Sequence, residues 1–397
     1  MELVRGGRIA TIDGLRGIAI LIVVWYHFWQ ISWQGAEIPF TGISLQPIPE
    51  TGFLGVDLFF FISGFVLMLP YAHARLTGAP PPTLAHFFSR RFLKIVPSYV
   101  LAIVLMIAIG YQTYAHPADA VKDVGFHLLF IHNWFAATNG SIDSVMWSLG
   151  AEIQFYVLFP LIVPAFVRWP LRSALALFAV ANGWRLWAML SNHYFYAQRL
   201  EQLPAYVDLF AAGMLAAFAY VAIATRRPEL AQRRRLFTAL SVAGFIAFGA
   251  LVLNLYGHRW SDHPWPETWK VEWRSAIALA YLAIGLGSLF AVRGYQVLLA
   301  NRALLFLAAI SYNLYLWHQP LGRILVKLHV PPYVTADPHD DRHWMFVFQF
   351  VAIPLVLAVA ALLTYAFEQP ILRLGKRRRT TRPTPAPIAV ETVAEPT

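Results

Sequence analysis

Apolar runs of roughly 20 residues, the length at which a helix rising about 1.5 Å per residue crosses a hydrocarbon core of about 30 Å, recur ten times along this chain. They predict spans at 9–31, 52–71, 96–114, 145–165, 173–190, 206–224, 237–256, 275–292, 303–321 and 346–367. Residues 124–135 are apolar too, but at that length they read as a re-entrant or interfacial piece. The fold class is therefore an all-α polytopic membrane protein with about ten transmembrane helices. Residues 1–375 form the membrane domain. Residues 376–397 begin with the basic run Lys376–Arg379, continue rich in Pro, Thr and Ala, and are expected to be a disordered cytoplasmic tail. No internal repeat is visible.

Composition agrees with this pattern. At 58% hydrophobic and 13% charged residues, with mean hydropathy +0.54, the chain is too apolar for a water-soluble domain. There are no cysteines, which removes disulfides, thiolate-metal sites and Cys nucleophiles. A net charge of +10 raises the question of nucleic acid, and its distribution answers it. With the N-terminus inside, 21 of the 31 Lys and Arg fall in inner segments, eight fall in outer ones, and Arg16 and Arg185 lie within spans. That bias follows the positive-inside rule, so both termini are expected in the cytoplasm.

The first span carries Asp13, Arg16 and His27 inside its length, where ionisable groups are costly and face a packed interior or a water-filled cavity. Asp13 and Arg16 interrupt the apolar run and no small-residue cleavage site follows Trp25, so a cleaved signal peptide is not expected. Arg16 and His27 stand about 16 Å apart along a helix and cannot touch. His27, Asp57, Glu152 and His318, from four spans, are expected at one depth toward the outer face. Arg16, Arg90, Arg91 and Lys94 are expected near the inner face.

An acid/base pocket above a cationic inner mouth suits transfer of an acyl group from a polyanionic donor such as acyl-CoA to a hydroxyl. Arg and Lys meet phosphates, and imidazole takes and returns a proton near neutral pH. A carboxylate, with Glu152 as the foremost candidate, would orient His27. Ser148, Tyr312 and Asn313 are candidate donors to an oxyanion.

Six blocks carry a resemblance to the integral-membrane acyltransferase family three, which includes O-acetyltransferases of O-antigen, Nod factors and exopolysaccharides. They are Asp13-Gly14-Leu15-Arg16-Gly17 followed by His27; Gly55-Val56-Asp57-Leu58-Phe59-Phe60; Arg90-Arg91 through Pro97; Trp147-Ser148-Leu149 with Glu152 and Phe155-Tyr156; Ser311-Tyr312 with Tyr315-Leu316-Trp317-His318; and Phe367-Glu368-Gln369-Pro370. The resemblance implies ten core helices, acyl-CoA as donor substrate, a hydroxylated acceptor such as a lipid-linked glycan, and a place in a bacterial inner membrane. It also implies a functional pair at Arg16 and His27. The family's R-x-x-R element reads Arg91-Phe92-Leu93-Lys94 here, which keeps the charge and loses one guanidinium fork.

Plainer roles compete at each position. Arg16 can pair with Asp13, Asp57 and Glu152 can tie helices together, and His318 can sit at the interface. Ser63 lacks the Gly-x-Ser-x-Gly elbow and reads as helix packing. His339 and His343 lie in a polar loop, so no metal is expected there. A transporter of sugars or lipids is the alternative function, with the same intramembrane charges lining a path.

Overall fold

The computed structural model describes residues 4–5, 8–37, 41, 43–191, 196–258 and 267–380. Helices dominate, and a two-residue antiparallel ladder, Val4–Arg5 with Arg8–Ile9, precedes the first of them. In chain order they are α1 (Ala10–Ser32), α2 (Leu54–Thr77), α3 (Leu84–Ala108), the short α4 (Pro117–Leu128), α5 (Met146–Arg168), α6 (Pro170–Leu190), α7 (Val207–Arg226), α8 (Arg234–His258), α9 (Glu267–Phe290), α10 (Arg293–Leu299), α11 (Arg302–Lys327), α12 (Arg342–Leu362) and α13 (Gln369–Thr380). Among the described residues nine helical segments are long and apolar enough to cross a membrane, and α10 with α11, bent by 43°, makes a tenth. The predicted spans are thus present, and 124–135 forms the end of α4 and a single turn at His132–Trp134, too short to cross. Of the expected tail, residues 376–380 form the end of α13, and 381–397 lie outside the described residues.

Helix ends differ from the apolar limits wherever polar residues extend a helix beyond the hydrocarbon. α3 starts at Leu84, with Thr83 Oγ1 accepting from the His86 amide, so Arg90, Arg91 and Lys94 are helical. α9 starts at Glu267, which carries Lys270 and Arg274 on the helix itself.

α2 is the most enclosed span, with 78% of its apolar window buried against 22% for α6. Its contact with α7 is made by paired glycines: a Cβ at Gly64 would lie 2.1 Å from the Phe210 carbonyl oxygen, and one at Gly213 would lie 1.9 Å from that of Phe61. α1 leans on the α10–α11 bend in the same way, through Gly14 against Leu299 and Gly17 against Leu304. Buried ion pairs cross the bundle, Arg185 of α6 with Asp208 of α7, and Arg274 of α9 with Asp57 of α2.

Candidate functional site

Two cavities meet along α1. One, of about 450 Å³, lies toward the C-terminal half of α1 and is lined by His27 with Tyr26, Trp29, Trp147, Tyr206, Lys270, Arg274 and others. The second, of about 110 Å³, is lined by Arg16, Arg91, Lys94, Ser63, Glu152 and Tyr156. Val56 and Tyr315 line both, so they form the wall between them. Arg16 and His27 therefore open into different cavities.

His27 is oriented by a second imidazole. His318 Nδ1 lies 3.0 Å from the Leu314 carbonyl oxygen and 2.8 Å from that of Tyr315, and a carbonyl only accepts, so Nδ1 carries the proton. Its Nε2 is then an acceptor in the neutral ring, 3.0 Å from His27 Nδ1. His27 Nδ1 also faces the Val23 carbonyl oxygen at 3.0 Å, so it too bears its proton, shared between that oxygen and His318. The lone pair of the neutral His27 ring is thereby fixed on Nε2, which has no hydrogen-bond partner among the described residues. His318 is fully buried, whereas His27 is half-buried and faces the cavity.

Glu152 stands elsewhere. It accepts from Ser63 Oγ and from the Tyr156 hydroxyl, and it lies in the cationic cavity. The expectation that Glu152 orients His27 is corrected: α5 turns the carboxylate toward α2 and Arg16, and His318 fills that place. Asp57 lines the larger cavity, but its carboxylate accepts from Arg274 Nε at 3.1 Å and ties α2 to α9. Ser63 does more than pack, since it holds Glu152.

Arg16 and Arg91 face the smaller cavity, with the Arg91 guanidinium 5.2 Å from the centre of the Tyr156 ring. No hydrogen bond or ion pair of Arg16 occurs among the described residues, Asp13 included. Lys94 lines the same cavity but pairs with Glu368, whose other oxygen accepts from Asn313 at 3.1 Å. Glu368 is presented by a π-helical turn, Leu363–Glu368, that continues α12. Arg90 is exposed and does not line the cavity. Neighbours in a helix diverge by about 100°, whereas positions 91 and 94 share a face.

All three expected oxyanion donors are engaged. Asn313 Nδ2 serves Thr364 and Glu368, and the Tyr312 hydroxyl donates to the Ile95 carbonyl at 2.8 Å. Ser148 Oγ and the Tyr315 hydroxyl stand 2.7 Å apart, each also against the Val145 carbonyl. Tyr315 had no assigned role in the sequence, and its place in a motif next to His318 was the only signal. Lys270 and Arg274 were missed because they fell outside the apolar limits. His339, in the polar loop, is held by Asp337 and by the Ile31 carbonyl and packs on Trp33.

Outside the spans, α4 and the loop after it pack a polar cluster on the start of α5. Asp123 accepts from Tyr114 and Ser141 and pairs with His127, keeping its carboxyl below the usual range despite burial. His132 stacks on His127 with ring centres 4.0 Å apart. Burial, reinforced by His127, pushes His132 down to about 3. Burial raises Asp143 to about 7.

A helical bundle with segments of membrane-spanning length, in which one imidazole of a hydrogen-bonded pair lines one cavity and cations line the next, defines a class of polytopic membrane protein with a polar interior. The chain belongs to the family described as an acyltransferase domain, which matches residues 9–366. It is 25% identical over 390 residues to the peptidoglycan O-acetyltransferase OatA of Listeria monocytogenes, covering 92% of this chain and 56% of that one. To the O-acetyltransferase OatA of Staphylococcus aureus it is 23% identical over 382 residues, covering 92% of this chain and 57% of the relative. The chain thus spans little more than half the length of these curated relatives. No solved structure matches it.

Proposed function

We propose that this protein moves an acyl group, most simply acetyl, from acyl-CoA to a hydroxyl of a glycan or lipid-linked sugar. The observation that carries the reading is the fixed His27 tautomer: an unprotonated Nε2 on a residue that lines one cavity, with Arg16 and Arg91 lining another across the Val56–Tyr315 wall. The relatives are named O-acetyltransferases, of peptidoglycan in one case, which supports the same class of reaction.

The positive-inside bias supports an Arg16 cavity that faces the cytoplasm, where acyl-CoA is found. Arg16, Arg91 and Lys94 meet the anionic donor, and Glu152 balances part of that charge. The thioester arm passes the wall when Tyr315 swings away from Ser148 and Val145. His27 Nε2 removes the acceptor hydroxyl proton as its oxygen attacks the thioester carbonyl. His318 Nε2 accepts from His27 Nδ1 throughout and stabilises the imidazolium. Collapse of the tetrahedral oxyanion expels the CoA thiolate, which takes the proton back from His27. Ser148 or Tyr315, freed from the other's hydrogen bond, donates to the oxyanion.

Protein reconstituted in liposomes and given radiolabelled acetyl-CoA with a mixed extract of lipid-linked glycans tests the reaction. Label is expected in an acceptor. Folded protein that neither binds acetyl-CoA nor transfers label would overturn the reading in favour of a translocation path.

A further inference from the structure

The larger cavity holds cations that the transfer reaction does not use. Lys270 and Arg274 lie four residues apart on α9, hence on one helix face, and both line the cavity. The Lys270 ammonium sits 5.3 Å from the centre of the Phe53 ring, and the Arg274 guanidinium 4.3 Å from that of Tyr206. Arg274 is 1% exposed, spends Nε on Asp57, and leaves Nη1 buried without a partner. Lys270 is half-buried and has no hydrogen-bond or ion-pair partner among the described residues.

The carboxylates of the wall do not fill this need. Asp57 is taken by Arg274 Nε, Glu201 accepts from Asn139 at 2.7 Å, and Glu50 accepts from Gln46 at 2.6 Å. A buried donor without an acceptor carries a desolvation penalty that a ligand oxygen removes. The remaining lining fits a sugar, with aromatic faces at Tyr26, Trp29, Trp147 and Tyr206 and amides at Gln30 and Gln319. Tyr26, next to His27 in sequence, meets the Phe53 ring edge-on at 5.7 Å. Two rings therefore connect the base to Lys270.

We propose that the acceptor is an acidic glycan whose oxyanion is gripped by Lys270 and Arg274 while a neighbouring hydroxyl meets His27 Nε2. The oxyanion is a carboxylate on the sugar or the phosphate of a lipid-linked sugar; both offer the charged oxygens that these donors lack. This inference rests on the larger cavity being the acceptor side of the acyl transfer.

Binding needs no turnover, so titration of wild type and Lys270→Gln in liposomes, followed by tryptophan fluorescence, separates the two levels. The ligands are a hexuronic-acid oligosaccharide, its carboxyl-reduced form, and a neutral oligosaccharide on a polyprenyl diphosphate. Wild type is expected to bind an anionic ligand at least about tenfold more tightly than the reduced one. Lys270→Gln should abolish the preference, and Lys270→Arg should restore it. Preference for the hexuronic acid identifies a sugar carboxylate, and preference for the diphosphate identifies the lipid linkage. Equal affinities for all three ligands, unchanged in Lys270→Gln, would overturn the subsite and leave acyl transfer standing. Failure of the transfer itself is read separately, from the acetyl-CoA assay.

Discussion

His318 does for His27 what a carboxylate does for the histidine of a hydrolase triad, by fixing which nitrogen holds the lone pair. A neutral acceptor suffices because the His318 proton is anchored on two carbonyls, those of Leu314 and Tyr315. Replacing His318 with Ala is expected to lower kcat by about 10²-fold with little change in the KM for acyl-CoA. His318→Gln, whose amide oxygen can accept from Nδ1, should recover part of the loss. Equal losses in both variants, or a loss confined to KM, would mean that His318 only packs. A second residue-scale outcome concerns Lys94. Removing it leaves the buried Glu368 without its cation, so Lys94→Ala should destabilise the detergent-solubilised protein by about 3 kcal/mol, and adding Glu368→Gln should return most of that. At this scale the sequence showed which side chains are chemically able, and not which of them meet. Glu152 and His318 were expected at one depth, and depth alone says nothing about the face of a helix. The α5 carboxylate points into the Arg16 cavity, whereas the α11 imidazole points at His27.

At the scale of elements, apolar length located every span because hydrocarbon thickness imposes it. The same signal misplaced the ends of α3 and α9, since a helix continues into the polar layer wherever its residues remain helix-compatible. That extension is what lifts Arg91 and Lys94 of one helix, and Lys270 and Arg274 of another, into the cavities. The bend between α10 and α11 and the π turn after α12 had no pattern of their own to announce them. The polar cluster beneath α4 gives a pH dependence whose sign follows from its environment. Asp143, raised by burial from 3.8 to about 7, contributes stability present below about pH 4 and lost as pH climbs through 7. His132, lowered by burial from 6.5 to about 3, contributes stability present above pH 6.5 and lost as pH falls toward 3. The two act in the same window with opposite sign, so between about pH 4 and 6.5 melting curves should show Asp143→Asn making stability rise more steeply with pH and His132→Gln making it rise less. Slopes that stay unchanged in the variants would place the titration elsewhere.

The whole molecule is a bundle in which α1 carries Arg16 and His27, α3 carries Arg91 and Lys94, and α11 carries His318. Its orientation is the largest inference drawn from charge alone. The absence of native cysteine makes the check direct: Ala137→Cys, in the loop after α4, should react with an impermeant maleimide in intact cells, and Gln232→Cys, between α7 and α8, only after permeabilisation. The reverse pattern would place the Arg16 cavity outside and remove its access to cytoplasmic acyl-CoA. In the proposed reaction the wall of Val56 and Tyr315 is the point through which donor and acceptor sides communicate. The claim on which everything else depends is that His27 is the base at that point. Reconstituted His27→Ala, shown by melting and elution to be folded, should still bind acetyl-CoA and should transfer no label to acceptors that the wild type acetylates. Transfer at the wild-type rate by that variant would contradict it.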